Sequence, residues 1–188
     1  MKQINIKKIN IKKVNIIIGR FQPITKGHMK CIDEVYRKLH IPTIIVIVEA
    51  KKQDQRHPFV TYELVDMYKK MFKNDPRIID IVVSKNANIV DIGKKLYDMG
   101  YSIRSWVCGT DRYDSYLKMS TKYHDDAMLD DDFELVEIKR GDEDISATKL
   151  REAIINNDFE TFVRLFPTVQ SPNIYFNKFK AMLAWMNS

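Results

Sequence analysis

The chain predicts an α/β protein, a Rossmann-like doubly wound parallel five-stranded sheet with a C-terminal helical subdomain. Three observations carry this expectation. Five short runs, at residues 14–18, 43–48, 78–83, 103–108 and 133–138, are apolar on both faces, as strands are when both sides of a sheet are covered. Amphipathic segments of helical period separate them, which is the alternation of a parallel sheet. From Ile145 onward the pattern is helical only.

The elements follow in order. The first thirteen residues repeat Ile-Asn-Ile-Lys-Lys at a period of five. An odd period reverses the buried face of a strand at each repeat, so residues 1–13 are expected to be an extended, partly disordered basic arm, with the first strand starting at Val14. His28, Ile32, Val35, Tyr36 and Leu39 fall on one helical stripe. Thr61 is placed as the N-cap of a second helix carrying Leu64, Val65, Tyr68, Met71 and Phe72. Asn88 caps a third, with Ile89, Ile92, Leu96 and Met99, and Gly100 ends it. Residues 111–122 form a fourth. Ser146 opens a helix with Leu150, Ala153 and Ile154. Asp158 caps one with Phe159, Phe162, Val163 and Phe166, ended by Pro167, and a last helix covers 173–186. The organisation is thus an arm (1–13), a Rossmann-like core (14–144) and a helical subdomain (145–188).

Composition narrows the class. With 188 residues, 45% hydrophobic and 30% charged, the chain fits one globular domain. No apolar run approaches the roughly 20 residues of a membrane helix, and the arm lacks a secretory cleavage pattern. An intracellular, cytoplasmic protein without membrane contact is expected. The net charge is +6, but five lysines lie in the arm and leave +1 over the rest. A solvated basic tail is therefore preferred to a nucleic-acid contact. Cys31 and Cys108 have no metal-ligand spacing and are expected to be buried, unreactive thiols.

In doubly wound sheets ligands bind beyond the carboxyl ends of the strands, where the strand order reverses. The residues after each strand therefore matter most. After the first comes Gly19-Arg20-Phe21-Gln22-Pro23-Ile24-Thr25-Lys26-Gly27-His28, a strand, a turn stiffened by proline and a helix N-terminus. The start of a helix offers unpaired N–H groups and positive dipole charge, which suits a phosphate. Gly27 lets a ligand approach the backbone, and His28 adds a side-chain donor. Far downstream, Ile145-Ser146-Ala-Thr148-Lys-Leu-Arg151 places two hydroxyls at another helix start and an arginine one turn further, a second anion cradle. Gly109 and Asp111, after the fourth strand, could admit and bind a nucleotide, although an ordinary Asp cap is an even alternative. Lys26 is a candidate phosphate contact, as are Lys51 and Arg56 after the second strand, which otherwise belong to a solvated charged loop. The run Asp130-Asp131-Asp132 reads as a solvated turn rather than a metal site.

Thr25-Lys26-Gly27-His28 resembles the T/HxGH signature of the nucleotidyltransferase superfamily, and residues 145–151 resemble its ISxTxxR motif. The string Gly19-Arg20-Phe21-Gln22-Pro23 is similar to the opening of nicotinamide mononucleotide adenylyltransferases of the archaeal type. Residues 158–162, Asp-Phe-Glu-Thr-Phe, look like viral and bacterial members. The resemblance covers roughly residues 14 to 167. It implies direct in-line attack by an acceptor phosphate on the α-phosphorus of an NTP, with release of pyrophosphate. His28 and Arg151 would stabilise triphosphate charge and Thr25, Ser146 and Thr148 would orient it. Mg²⁺ would be held through substrate phosphates, with no protein metal site. ATP is the expected donor and nicotinamide mononucleotide the expected acceptor, giving NAD. The alternatives are a cytidylyltransferase, an adenylyltransferase with another phosphate acceptor, or a non-catalytic nucleotide- or nucleic-acid-binding module. The expected partners are these small molecules, and a homo-oligomer is compatible with the reading. Lys118-Met-Ser-Thr-Lys122 resembles the KMSKS motif of class I aminoacyl-tRNA synthetases, but it falls inside a predicted helix.

Overall fold

A computed structural model describes residues 11–139 and 145–183. Five strands, β1 (Lys12–Gly19), β2 (Thr43–Val48), β3 (Ile78–Ser84), β4 (Tyr101–Gly109) and β5 (Leu129–Ile138), form one sheet in the order β3-β2-β1-β4-β5. Every pairing is parallel. The helices are α1 (Lys26–Leu39), α2 (Thr61–Met71), α3 (Ile89–Asp98), α4 (Thr110–Lys122), α5 (Ala147–Ile155), α6 (Phe159–Leu165) and α7 (Pro172–Met182). The expected Rossmann-like sheet is therefore present. The order reverses between β1 and β4, and Ile17 stands opposite Val107, so both strands end at the same crevice.

Side chains alternate across the sheet with period two. Ile17, Ile45, Ile47 and Ile81 face one side and share a core with Ile32 of α1, Leu64, Met67 and Tyr68 of α2, and the apolar faces of α5, α6 and α7. Ile16, Ile44, Val46 and Val82 face the other side, against Ile89, Ile92 and Leu96 of α3. Each such aliphatic side chain contributes about 1.5–3 kcal/mol on leaving water. The C-terminal helices add Phe162, Phe166 and Phe179, all fully buried, to the first core.

Several boundaries differ from expectation for identifiable reasons. Of the arm, residues 1–10 lie outside the described residues. β1 begins at Lys12 rather than Val14, because Lys12 and Lys13 pair beside Tyr101 and Ser102 of β4. β5 begins at Leu129 rather than Phe133, so the three aspartates are in a strand and not in a turn. Lys13 Nζ holds Asp130 at 2.8 Å and Asp132 at 3.2 Å, and Ser102 Oγ donates to Asp130. These tertiary contacts override the low strand propensity of aspartate. Thr61 is the first residue of α2 and Val60 its N-cap. Met99 is the exposed C-cap of α3 rather than a member of its stripe, and Phe159 and Val163 lie on the exposed side of α6. α7 begins at Pro172, and residues 184–186 of the expected last helix lie outside the described residues. Asn88, Ser146 and Asp158 do cap their helices, accepting from the amides of Val90, Lys149 and Thr161. Cys108 is buried and its thiol is pushed up to about 11, chiefly by that burial, which keeps it unreactive at neutral pH; Cys31 is half-buried. Among the described residues no helix is long and apolar enough to cross a membrane.

One glycine is required by packing alone. A Cβ at Gly93 in α3 would stand 1.8 Å from the carbonyl oxygen of Ala127. Gly93→Ala must therefore push α3 off the turn that leads into β5. Its expected cost is about 1–3 kcal/mol in urea unfolding, the opposite of the usual gain from glycine to alanine in a helix.

Candidate active site

The connection from β1 to α1 is buried from Phe21 to Thr25. A buried loop must find partners for its peptide groups, and side chains supply them. Tyr68 Oη of α2 accepts from Ile24 N (2.8 Å) and donates to Phe21 O (3.0 Å). The Gln22 amide pairs with the Phe59 backbone in both directions, at 2.8 and 3.0 Å. Phe21 adopts the left-handed region (φ 47°), at a cost of roughly 1–2 kcal/mol for a residue with a Cβ. That kink lays its ring close over Gly19, whose Cβ would meet the ring at 3.2 Å. The same ring meets His28 edge-on at 4.9 Å. The Gln22–Pro23 peptide is cis.

Thr25 is the N-cap of α1, and His28 is the third residue of the helix. Nδ1 of His28 accepts from the Thr25 amide at 3.0 Å and lies 2.9 Å from the Thr25 hydroxyl. Nδ1 therefore carries no hydrogen and the neutral ring's proton sits on Nε2. The first intrahelical bonds of α1 start from His28 N and Met29 N to Thr25 O. The amides of Lys26 and Gly27 precede them, the ordinary condition of a helix start.

The second motif lies against the first. Ile145 packs 3.7 Å from where a Cβ on Gly27 would be. Ser146 Oγ accepts from Lys149 N at 3.1 Å. Arg151, half-buried, spans both motifs: Nη1 donates to Gln22 O at 2.7 Å and Nη2 to Thr148 Oγ1 at 3.1 Å. Burial holds its pKa below the ordinary arginine value, yet far above neutrality, so the guanidinium stays charged. Its hydrogen-bond partners are uncharged, and the carboxylates of Glu152 and Asp54 act on it without a direct ion pair among the described residues.

The loop after β2 contributes differently from expectation. Lys51 and Arg56 are exposed, and Arg56 engages the loop through its amide, to Asp54 Oδ1 at 2.9 Å. The site is reached instead by His57, whose Nε2 accepts from Arg20 Nη1. His57 Nδ1 in turn lies 3.1 Å from Asp54 Oδ1. Sequence reasoning passed over Asp54 and His57; the signal was an Asp two residues before a backbone amide it can cap, within a charged loop. It also read Tyr68 as core only. Lys26 Nζ reaches away, to Val163 O of α6 at 3.1 Å. A groove of about 820 Å³ between the end of α2 and the start of α7 has only Lys26 and Met29 in common with the crevice residues described above. Gly109 caps α4 and Asp111 sits in its first turn, 3.6 Å from Arg112. Lys118 lies on α4, as the helical reading of the 118–122 segment expected. No group of three or more His, Cys, Asp or Glu among the described residues could hold a metal ion.

Two helix starts, an imidazole donor and two arginines with uncharged partners thus converge beyond β1, at the point where strand order reverses. Such an arrangement can bind a polyanion and neutralise charge that develops on it. A family model described as cytidylyltransferase-like matches residues 16–153. The chain belongs to this family of nucleotidyltransferases. No curated protein matches it. Solved structures share the fold at low identity. A bifunctional NMN adenylyltransferase/ADP ribose pyrophosphatase from Francisella tularensis, complexed with AMP and a manganese ion, is 18% identical with a TM-score of 0.59. The match covers 94% of this chain and 53% of that one, so the chain spans about half of the bifunctional protein. Nicotinic acid mononucleotide adenylyltransferase from Plasmodium falciparum, complexed with NaAD, is 16% identical with a TM-score of 0.58, covering 91% and 97% of the two chains.

Gly27 separates a packing role from a ligand role. The protein atoms nearest to a Cβ there lie 3.5 Å and more away, an ordinary contact that alanine tolerates. Gly27→Ala is therefore expected to leave stability unchanged or raise it by up to about 1 kcal/mol. If a phosphate is taken at this helix start, the substitution is also expected to weaken Mg·ATP binding several-fold, because the methyl would stand where the phosphate approaches the backbone. Thermal unfolding and calorimetric titration on the same sample check both halves.

Proposed function

We propose that this member of the family is an adenylyltransferase that moves AMP from ATP to a phosphate-bearing acceptor, nicotinamide mononucleotide, giving NAD and pyrophosphate. The observation that carries the transferase reading is Arg151, bonded at once to the Gln22 carbonyl of one cradle and to Thr148 of the other. The Gly19–Pro23 string and the fold neighbours named for NMN and nicotinic acid mononucleotide support the acceptor class.

In this reading the acceptor phosphate oxygen attacks the α-phosphorus in line, and the bond from that phosphorus to the pyrophosphate oxygen breaks. The amides of Lys26 and Gly27 and the Nε2–H of His28 take the triphosphate at α1. Ser146, Thr148 and Arg151 take it at α5, and Thr25 fixes the His28 ring. Gly19, Phe21, Gln22 and Ile145 shape the floor, Arg20 meets the phosphates at the mouth, and Gly109 and Asp111 border the nucleoside side. Lys51 and Arg56 are at most outer phosphate contacts. Catalysis then comes from positioning and from donors aimed at charge that grows as pyrophosphate departs. A divalent ion, Mg²⁺ here, would arrive with the nucleotide on its phosphate oxygens, since the candidate cradle is cationic. The protein is assigned to the cytoplasm as a small-molecule enzyme.

The family's cytidylyltransferase-like description favours a second reading in which CTP is the donor. The two are distinguished by incubating the protein with each of the four NTPs and either mononucleotide and measuring pyrophosphate. ATP with nicotinamide mononucleotide is expected to give NAD. Turnover with CTP and not with ATP would replace this assignment.

Four substitutions test the site itself. His28→Ala and Arg151→Ala are each expected to lower kcat on the order of a hundredfold or more. His28→Ala also removes the acceptor of the Thr25 amide and is expected to cost about 1 kcal/mol of stability. His28→Gln, whose carbonyl can restore that cap, should recover the stability without recovering kcat. Lys118→Ala on α4 is expected to be nearly silent. Loss of activity in Lys118→Ala with His28→Ala unaffected would refute the two-cradle site.

A further inference from the structure

Arg20, His57 and Asp54 form a chain of contacts from a backbone turn to the mouth of the crevice. Arg20 follows β1 and is exposed. Its Nη1 donates to His57 Nε2, and a guanidinium has no acceptor to offer in return. His57 Nε2 is therefore unprotonated, and the neutral ring carries its hydrogen on Nδ1, which donates to Asp54 Oδ1 at 3.1 Å. Asp54 Oδ1 also accepts the amides of Arg56 and His57, both at 2.9 Å. A backbone bridge between Asp54 and His57 closes the turn. The carboxylate is thus fixed by its own turn, the ring by the carboxylate, and the arginine by the ring.

We propose that His57 is a positioning residue that holds the Arg20 guanidinium at the crevice for the phosphates of an incoming nucleoside triphosphate, and releases it when the ring is protonated. The proposal rests on the nucleotidyltransferase reading above. An arginine left to itself loses much rotameric freedom when it binds an anion. One already docked on an uncharged acceptor loses less and keeps its full charge. A second carboxylate in that place would hold Arg20 as well but would repel the triphosphate. Protonation puts a hydrogen on Nε2, facing Arg20. The contact then changes from donor and acceptor to two donors and two like charges.

The charged groups facing His57 are Asp54 from its own loop, Arg20 from the β1–α1 connection and Arg151 from α5. Burial, then Arg20, hold its pKa below the ordinary histidine value against the pull of Asp54. The docked form is accordingly the majority at and above about pH 6.5, the unperturbed value, and is lost as pH falls through the lowered one.

The test is the dissociation constant of Mg·ATP, measured calorimetrically from about pH 8 to about pH 5.5. It uses the full-length wild type, His57→Gln, His57→Ala, Arg20→Gln and the double variant Arg20→Gln/His57→Ala. Glutamine offers a carbonyl to Arg20 and does not titrate, so the ratio of wild type to His57→Gln cancels the titration of ATP itself. That ratio is expected to rise as pH falls. His57→Ala is expected to weaken binding about tenfold at pH 8, with no further loss when Arg20→Gln is already present. A merely structural His57 would weaken the Arg20→Gln protein equally. In the free protein, ¹⁵N NMR of the ring is expected to show hydrogen on Nδ1, and Arg20→Gln to raise the His57 pKa. A flat ratio, additive losses or hydrogen on Nε2 overturns the proposal and leaves the nucleotide reading standing. Failure of the wild type to bind Mg·ATP removes both.

Discussion

The β1–α1 connection is the constraint on which the rest of the site depends. Five consecutive residues are buried in a segment with no secondary structure of its own to satisfy them. Their peptide groups are completed by side chains from three other places, Tyr68 of α2, His28 of α1 and Arg151 of α5, and the buried Gln22 side chain is itself completed by the Phe59 backbone. An unmade hydrogen bond in such a place costs about 1–3 kcal/mol, so these elements are held in register by the loop as much as the loop is held by them. The left-handed Phe21 is tolerated because its ring is fixed between Gly19 and His28. Rigidity at this point matters for function, since donors can favour a transition state over bound substrate only if they do not relax toward the ground state.

Electrostatics sets the two crevice arginines apart from several others on the surface. Arg77 pairs with Asp75 and Asp33, Arg104 with Glu134, and Arg37 with Asp33. Those guanidiniums are neutralised in place. Arg20 and Arg151 are hydrogen-bonded to an imidazole nitrogen, a carbonyl and a hydroxyl, which orient a guanidinium without cancelling it. The geometry that satisfies the loop thus keeps carboxylates out of direct contact with either guanidinium, with Asp54 and Glu152 acting on Arg151 only at longer range.

The sheet and the helix starts of both candidate cradles were legible in the sequence because each is a local pattern at a fixed place. Apolar runs mark strands, Asn88, Ser146 and Asp158 mark helix starts, and the residues following the first strand lie by topology at the switch point. What escaped depends on contacts between distant segments. Lys13 meets Asp130 and Asp132 across more than a hundred residues, and nothing local in an aspartate run announces a strand. Tyr68 satisfies the apolar stripe of α2, and its hydroxyl's work on Phe21 and Ile24 is visible only once α2 lies over the loop. In the loop after β2 the strongest local signal, positive charge at Lys51 and Arg56, pointed to exposed side chains, while the residue that meets Arg20 is the less conspicuous His57.

Substrate choice is carried by different parts of the molecule from the catalytic donors. Phosphates are common to every NTP, and in the proposed reaction the helix starts, His28 and Arg151 would take phosphate without reading a base. Discrimination between adenine and cytosine, and between one acceptor and another, has to come from shape and hydrogen bonds at the remaining borders of the crevice. The other border is the end of β4, where Gly109 caps α4, Asp111 leans on Arg112, and Trp106 stacks on Tyr116 at 3.9 Å just beneath. Because β4 is hydrogen-bonded to β1 across the reversal of strand order, this border is tied to the catalytic loop through the sheet and not through a flexible linker. In the proposed reaction a change of base or acceptor would therefore be made at the β4–α4 corner while the buried loop, and the donors it would position, stay in place.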